Sequence, residues 1–197
     1  MAIDQVRRWA GLDHRADPDL WVAEGARLGT VTVERRSRRF STAVLERVAR
    51  RLMNASPLCS LATVTPGGRA HINHMYFAWT DRFEVVWISD PDSLHSRNLT
   101  GNRSAAVTIY ASNQVWGKPD RGIQLFGTAA VTASPEAPRA YGKRFRDFDA
   151  GSNDLPYYRF RPRTVKLFDE RSLAGGTLVT ARVTRDGLAW LKTEVWA

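Results

Sequence analysis

The sequence predicts a mainly β protein, a small antiparallel barrel of six or so strands with two short helices inserted. Three observations lead there. From Leu58 the hydrophobic pattern alternates with the period of strands, and six short strand-like stretches follow one another up to Glu170. Turn residues separate them, and only two intervening stretches carry a helical period. There is also no G-x-G-x-x-G, no phosphate loop, no internal repeat and no low-complexity tract, which argues against a dinucleotide-binding or repeat fold.

Residues 1–40 read as an N-terminal extension, rich in charge, with Trp9, Trp21 and one short alternating segment, Gly29–Val33. Ser41 and Thr42 then cap a helix whose Val44, Leu45, Val48, Leu52 and Met53 share one face, with Pro57 marking its end. Leu58–Thr65, the turn Pro66–Arg69 and Ala70–Trp79 form a hairpin. Phe83–Ser89 is the next strand, and a polar turn with a short helix occupies Asp90–Gly101. Strands follow at Ser104–Tyr110 and Gly122–Thr132, then a helix with a polar face at Pro135–Phe148 and a closing strand at Tyr157–Glu170. The organisation expected is an extension over residues 1–40, a barrel domain over 41–170 and a C-terminal tail over 171–197. In that tail Leu178–Val183 alternates like one more strand, with Trp190 and Trp196 as apolar anchors.

The 197 residues are 43% hydrophobic and 25% charged, the composition of an ordinary globular domain with room for a proper core. A single cysteine, Cys59, excludes a disulfide framework and any cysteine-rich zinc site. No apolar run is long enough to span a bilayer, and no apolar core follows the first basic residues, so the expectation is a cytoplasmic protein without signal peptide or membrane partner. The net charge is +9, and only four of the 29 basic residues are lysine. Arginine binds phosphates and carboxylates in bidentate fashion, but a codon bias gives the same count. The densest cluster, Arg35 to Arg39, comes with no zinc-finger spacing, RNP-like string or basic coiled coil, so a nucleic-acid partner is not expected.

Ile88–Leu99 is the most informative stretch. A strand ends and a helix begins there, with Ser89, Ser93, His95, Ser96 and Arg97 concentrated at the junction. Hydroxyls and free N–H groups at a helix start make a phosphate cradle. Simple capping by Asp92 or Ser93, with Arg97 solvated, explains the same residues equally well. His71 and His74 fall on opposite faces of one strand and so do not pair on a metal; no metal site is expected. Cys59 reads as a buried, inert thiol, and Trp79, Trp87, Trp116, Tyr157 and Tyr158 as core aromatics or a shield for a planar ligand.

Over Leu58–Glu170 the sequence resembles the FMN-binding split barrel of the pyridoxamine 5'-phosphate oxidase-like superfamily. The matching parts, in order, are the run Ser93-Leu94-His95-Ser96-Arg97-Asn98-Leu99, the centre Gly127-Thr128-Ala129 and the strand opening Arg159-Phe160-Arg161-Pro162. The resemblance implies a homodimer with the cofactor at the interface. It places Ile88 and Ser89 along the flavin ring, and Ser93, Leu94 and His95 at the phosphate, with Arg97 as a source of charge because His95 stands where lysine is usual. Asn73, His74, Met75 and Tyr76 match the strand against the ring edge and phosphate. Gly122 and Gln124 match the partner subunit's contribution, and Phe168 an aromatic position near the ring.

True pyridoxamine-phosphate oxidases carry an Arg–x–His clamp after the closing strand. Here Arg171 is followed by no histidine, which disfavours pyridoxamine phosphate as substrate. The resemblance therefore implies an FMN-dependent oxidoreductase acting on another, unidentified small molecule, with His74 or Tyr76 as the candidate acid or base. A haem- or deazaflavin-binding member of the same barrel family, and a non-catalytic flavin-binding or interaction protein, stay open as alternatives.

Overall fold

The computed structural model describes residues 33–36, 38–149 and 152–196; the expected segment Gly29–Val33 lies outside them except for Val33. The first strand, β1, is Val33–Arg36, and helix α1 is Thr42–Met53. Ser41 caps α1, its side chain accepting from the Val44 N–H at 3.4 Å. The helix buries Leu45, Val48, Ala49, Leu52 and Met53, the face its spacing predicts, and Arg50 and Arg51 in its last turn oppose the helix dipole favourably.

Strands β2 (Leu58–Val64) and β3 (Ala70–Tyr76) pair in register around a turn closed by Gly68, whose φ of 77° a side chain rarely adopts. The predicted strand to Trp79 breaks at Phe77. That ring is fully buried beneath the Arg144 guanidinium; the Phe77 N–H still donates to the Pro57 carbonyl, one step beyond the Leu58–Tyr76 pair, but Pro57 has no N–H to return the bond, so the ladder ends there. A two-residue strand β4 (Ala78–Trp79) resumes and pairs with β5 (Val85–Ile88). Helix α2 (Leu94–Gly101) leads to β6 (Ser104–Tyr110) and β7 (Arg121–Val131). Helix α3 (Glu136–Arg144) stops earlier than its pattern predicts, with Phe145 as its C-cap; Arg144 ties it to the end of α1 through the Met53 and Ser56 carbonyls. The strand β8 (Tyr157–Asp169), the short helix α4 (Glu170–Leu173), β9 (Thr177–Thr184) and β10 (Gly187–Trp196) complete the chain.

The sheet runs β1-β10-β9-β8-β7-β6-β2-β3. Strand β8 is its spine: β7 pairs along its whole length on one edge. On the other edge β5 takes Tyr157–Phe160 and β9 takes Thr164–Phe168, so the barrel splits there. The six strands expected between residues 58 and 170 are present, one of them divided, and β1, β9 and β10 are additional. The tail thus supplies two strands where the alternating pattern predicted one. Its Val179, Ala181 and Leu188 join the same core as Leu61, Phe77, Trp87, Leu125 and Phe160. Burying each such large apolar side chain contributes about 1.5–3 kcal/mol. At the β7 bulge Gly127 faces Pro162, and a Cβ there would lie 2.0 Å from the Arg161 carbonyl oxygen, so the backbones approach more closely than any side chain permits.

Candidate functional site

Alternation on paired strands sorts the side chains onto two faces. The inner face carries the core. Across the outer face, register aligns His74, Ser60, Thr108, Gln124, Lys166 and Thr180, one from each successive strand, as a polar row. Ser60 Oγ and His74 Nδ1 are 2.8 Å apart in a hydrogen bond, which fixes the imidazole and turns Nε2 away from its partner. A cavity of about 120 Å³ opens here, lined by Ser56, Ser60, His74, Thr108, Tyr110 and Ser112. Exposed apolar side chains flank the row: Leu58, Ile72, Tyr76, Tyr110 and Phe126, with Ile72 61% and Tyr76 59% accessible.

A second constellation forms where β5 ends and α2 begins. Ser93 is the N-cap of α2, in extended conformation, and its Oγ accepts from the Ser96 N–H at 3.4 Å. The same hydroxyl donates to Ser96 Oγ at 2.8 Å and sits 3.2 Å from both Ser89 Oγ and His95 Nε2. Ser89 Oγ is 2.8 Å from that nitrogen. Two hydroxyls, those of Ser89 and Ser93, therefore meet one imidazole nitrogen, and the Ser96 hydroxyl joins them through Ser93. His95 is only 7% exposed, and burial, then the neighbouring His71, holds its pKa below the ordinary value, so the ring is neutral near pH 7. Behind it Asn98 Nδ2 donates to Thr63 Oγ1 at 3.0 Å, and Thr63 Oγ1 lies 3.4 Å from His71 Nδ1. The buried Asn98 Oδ1 has no partner.

Beside this junction Ile88 pairs with Tyr157, whose buried hydroxyl is likewise unpartnered. Tyr157 packs against Tyr141, which also touches Phe145 and Phe148, while Tyr76 meets Phe145 edge-on. Burial raises the Tyr141 and Tyr157 pKa values, so these phenols stay protonated.

The residues singled out in the sequence thus fall into two groups. Ser89, Ser93 and His95 come together, with Ile88 beside them and Leu94 exposed at the start of α2. Arg97 does not join them: its guanidinium donates to the Asp92 carbonyl. His74, Tyr76, Gly122, Gln124 and Phe168 lie on the outer face, where the Phe168 ring covers Gly122 closely enough that a Cβ would sit 2.5 Å from it. Asn73 and Met75 point to the inner face, opposite Leu61 and Cys59. Register also confirms that His71 and His74 face opposite ways. Trp87 and Tyr158 stack in the core, Trp79 stacks on Phe83, but Trp116 is 90% exposed on the β6–β7 loop. Trp196 is exposed as well, whereas Trp190 packs beneath Arg39. Burial pushes the Cys59 thiol up to about 12, consistent with an inert core cysteine. Ser96, counted in the sequence among the hydroxyls of the junction, joins the cluster through Ser93, whereas Ser60, Thr63 and Asn98 were not predicted as site residues.

Fold and site together define a split β-barrel with a cluster of hydroxyls around a buried imidazole at a strand-to-helix junction. The family model described as pyridoxamine 5'-phosphate oxidase matches residues 45–169, well over half of the chain, and the protein belongs to that family. No curated protein matches the chain. Among solved structures it is similar to a conserved hypothetical protein from Mycobacterium tuberculosis (20% identity, 72% of this chain and 93% of that one, TM-score 0.56). It is also similar to HutZ, the heme storage protein from Vibrio cholerae (17%, 66% and 99%, 0.55). A third is a pyridoxamine 5'-phosphate oxidase-related, FMN-binding protein from Nostoc punctiforme (14%, 78% and 93%, 0.52). At these identities the likeness concerns the fold. No helix among the described residues is long and apolar enough to cross a membrane.

Proposed function

We propose that the protein is a homodimeric FMN-dependent oxidoreductase that holds the FMN phosphate in the cradle at the start of α2. The observation that carries this reading is the cluster of Ser89, Ser93 and Ser96 hydroxyls, linked to one another, of which Ser89 and Ser93 meet the Nε2 of the buried His95. Hydroxyls rotate to donate to phosphate oxygens, and the first turn of α2 adds N–H groups that have no intrahelical acceptor. The unpartnered Asn98 Oδ1 and Tyr157 hydroxyl next to this junction are polar atoms that a bound ligand or its waters would satisfy, so the residues present fit a phosphorylated cofactor. Residues 41–170 form the FMN-binding unit, and β9 and β10 extend its sheet.

The outer face supports the dimer. Exposed Ile72, Tyr76, Tyr110 and Phe126 around a polar row are the composition of an interface patch, an apolar area enclosing a few specific polar groups. A second copy seated there brings Gly122, Gln124 and Phe168 to the cofactor. FMN, when bound, supplies hydride and electron exchange with a small substrate. The chain's own residues bind, orient and shield: Ile88 and Tyr76 provide apolar surface, and His74, oriented by Ser60, presents Nε2 to hold or accept a proton. The substrate is not pyridoxamine phosphate, because Arg171, at the start of α4, is the sole basic residue where that substrate needs an arginine–histidine clamp.

The visible absorption spectrum of the purified protein, as isolated and after reconstitution, tests this. The two-banded spectrum of an oxidised flavin is expected. A single intense Soret band would assign haem instead, and a colourless protein that cannot be reconstituted with FMN would refute the proposal.

A further inference from the structure

The cradle offers hydrogen-bond donors but no permanent cation. Arg97, the basic residue of α2, is exposed and directed to the Asp92 carbonyl. The turn before α2 adds two carboxylates, Asp90 and Asp92, both exposed. Of the strands packed against α2, β3 presents His71. Strand β2 has no charged side chain, only the protonated Cys59 thiol, and β7 has only Arg121, at its far end opposite Asp169. Arg103 follows the C-terminal end of α2 and lines a separate cavity with Thr128, Arg159 and Arg161. Among the described residues, His95 and, beyond Thr63, His71 are therefore the basic side chains at the cradle itself.

A phosphate monoester carries about −1.5 to −2 charges at neutral pH. Brought against a buried neutral imidazole and its hydroxyls, it favours the charged form of that imidazole, since an opposite charge at hydrogen-bond distance raises a histidine pKa. We propose that the cradle takes up its phosphate ester together with a proton, which settles on His95, so that phosphate affinity rises as pH falls. This rests on the reading of the cradle as the FMN phosphate site.

The sign follows from linkage. Burial holds free His95 below the ordinary histidine value of about 6.5, and a bound phosphate raises it. Between the free and bound values binding takes up a proton, and the dissociation constant grows with pH, by at most about tenfold per unit. The phosphate's own second pKa, near 6, lies at the acid edge of this window and does not produce that slope.

Titrate the apo-protein with FMN and with riboflavin from about pH 6 to 8.5, and measure FMN binding calorimetrically at pH 7.5 in buffers of different ionisation enthalpy. Expected are proton uptake with FMN, an FMN affinity that falls as pH rises and a flat riboflavin profile. In His95→Lys the FMN profile should flatten at high affinity, because the cation is then permanent; in His95→Gln it should flatten at low affinity. His71→Gln should retain the slope if His95 carries the proton. FMN binding without proton uptake and independent of pH would overturn this inference while leaving the cradle intact, provided FMN still binds more tightly than riboflavin. Equal affinity for FMN and riboflavin, or no binding of either, would overturn the cradle reading as well. The calorimetry uses the wild-type protein, so it decides the matter even if a variant fails to fold.

Discussion

Ser93 caps α2, braces His95 and, in the reading above, donates to phosphate; Ser93→Asp separates these roles. A carboxylate caps a helix as well as a hydroxyl does, is favoured by the helix dipole and gains His95 as a charge partner, so the fold should be kept. The ligand fares differently. Ser93 Oγ lies 2.8 Å from Ser96 Oγ and 3.2 Å from both Ser89 Oγ and His95 Nε2, so a phosphate held by those groups sits within about 5 Å of the new carboxylate. At an effective dielectric of about 20, each pair of unit charges at that distance repels by about 3 kcal/mol, a loss of at least about a hundredfold in affinity. Ser93→Ala removes the cap, about 1 kcal/mol of stability, and one donor to the ligand, another ~1 kcal/mol of affinity. Stability should therefore rank wild type near Ser93→Asp, both above Ser93→Ala, while FMN affinity ranks wild type, then Ser93→Ala, with Ser93→Asp far below. Thermal unfolding and quenching of flavin fluorescence measure the two orders. If Ser93→Asp keeps FMN affinity within about threefold of wild type, the phosphate is not at this site.

Gly127→Ala should destabilise the barrel by about 3 kcal/mol in urea unfolding, because its Cβ would press on the Arg161 backbone, which cannot move without breaking the β7–β8 ladder. With the proposed dimer interface on the outer face, Ile72→Lys combined with Tyr110→Lys should leave a monomer in light scattering and weaken FMN binding, while circular dichroism stays unchanged. Glu170 accepts from the Asp120 and Gly176 N–H groups, both at 2.9 Å, which holds its carboxyl below the usual range. Its contribution is therefore present above about pH 4.3 and lost as pH falls through the lower folded value; Glu170→Gln should be less stable than wild type at pH 7, with the gap closing towards pH 3. Cys59, with its thiol pushed up to about 12, should be inert to thiol reagents at pH 8 until the protein unfolds.

What the sequence made legible was local. Ser41 and the apolar face of α1, the Pro66–Gly68 turn and the serine-rich start of α2 each carry their structural reason within a few neighbouring residues. The break at Phe77 was not legible, because the ring is pulled into the core under Arg144, 67 positions away in the chain. The β9–β10 hairpin had a local signal in Asp186–Gly187, with Gly187 at a φ of 117°, but its membership in the sheet depends on the free edge of β8. The site was half visible for the same reason. Ser89, Ser93 and His95 meet within seven residues, whereas Thr63 reaches Asn98 and Ser60 reaches His74 through strand pairing that no short window reveals. Which of Asn73–Tyr76 face outward is set only by the partner strand, which sends His74 and Tyr76 outward and Asn73 and Met75 inward.

The crystal structure of the protein with FMN tests the central claim most directly. It should show the phosphate within hydrogen-bond distance of Ser89, Ser93, Ser96 and the Nε2 of His95, with the ring against Ile88 and a second copy of the chain closing the site over Gly122 and Gln124. FMN bound elsewhere, or a phosphate held by Arg97 with His95 still hydrogen-bonded only to its serines, would contradict the account.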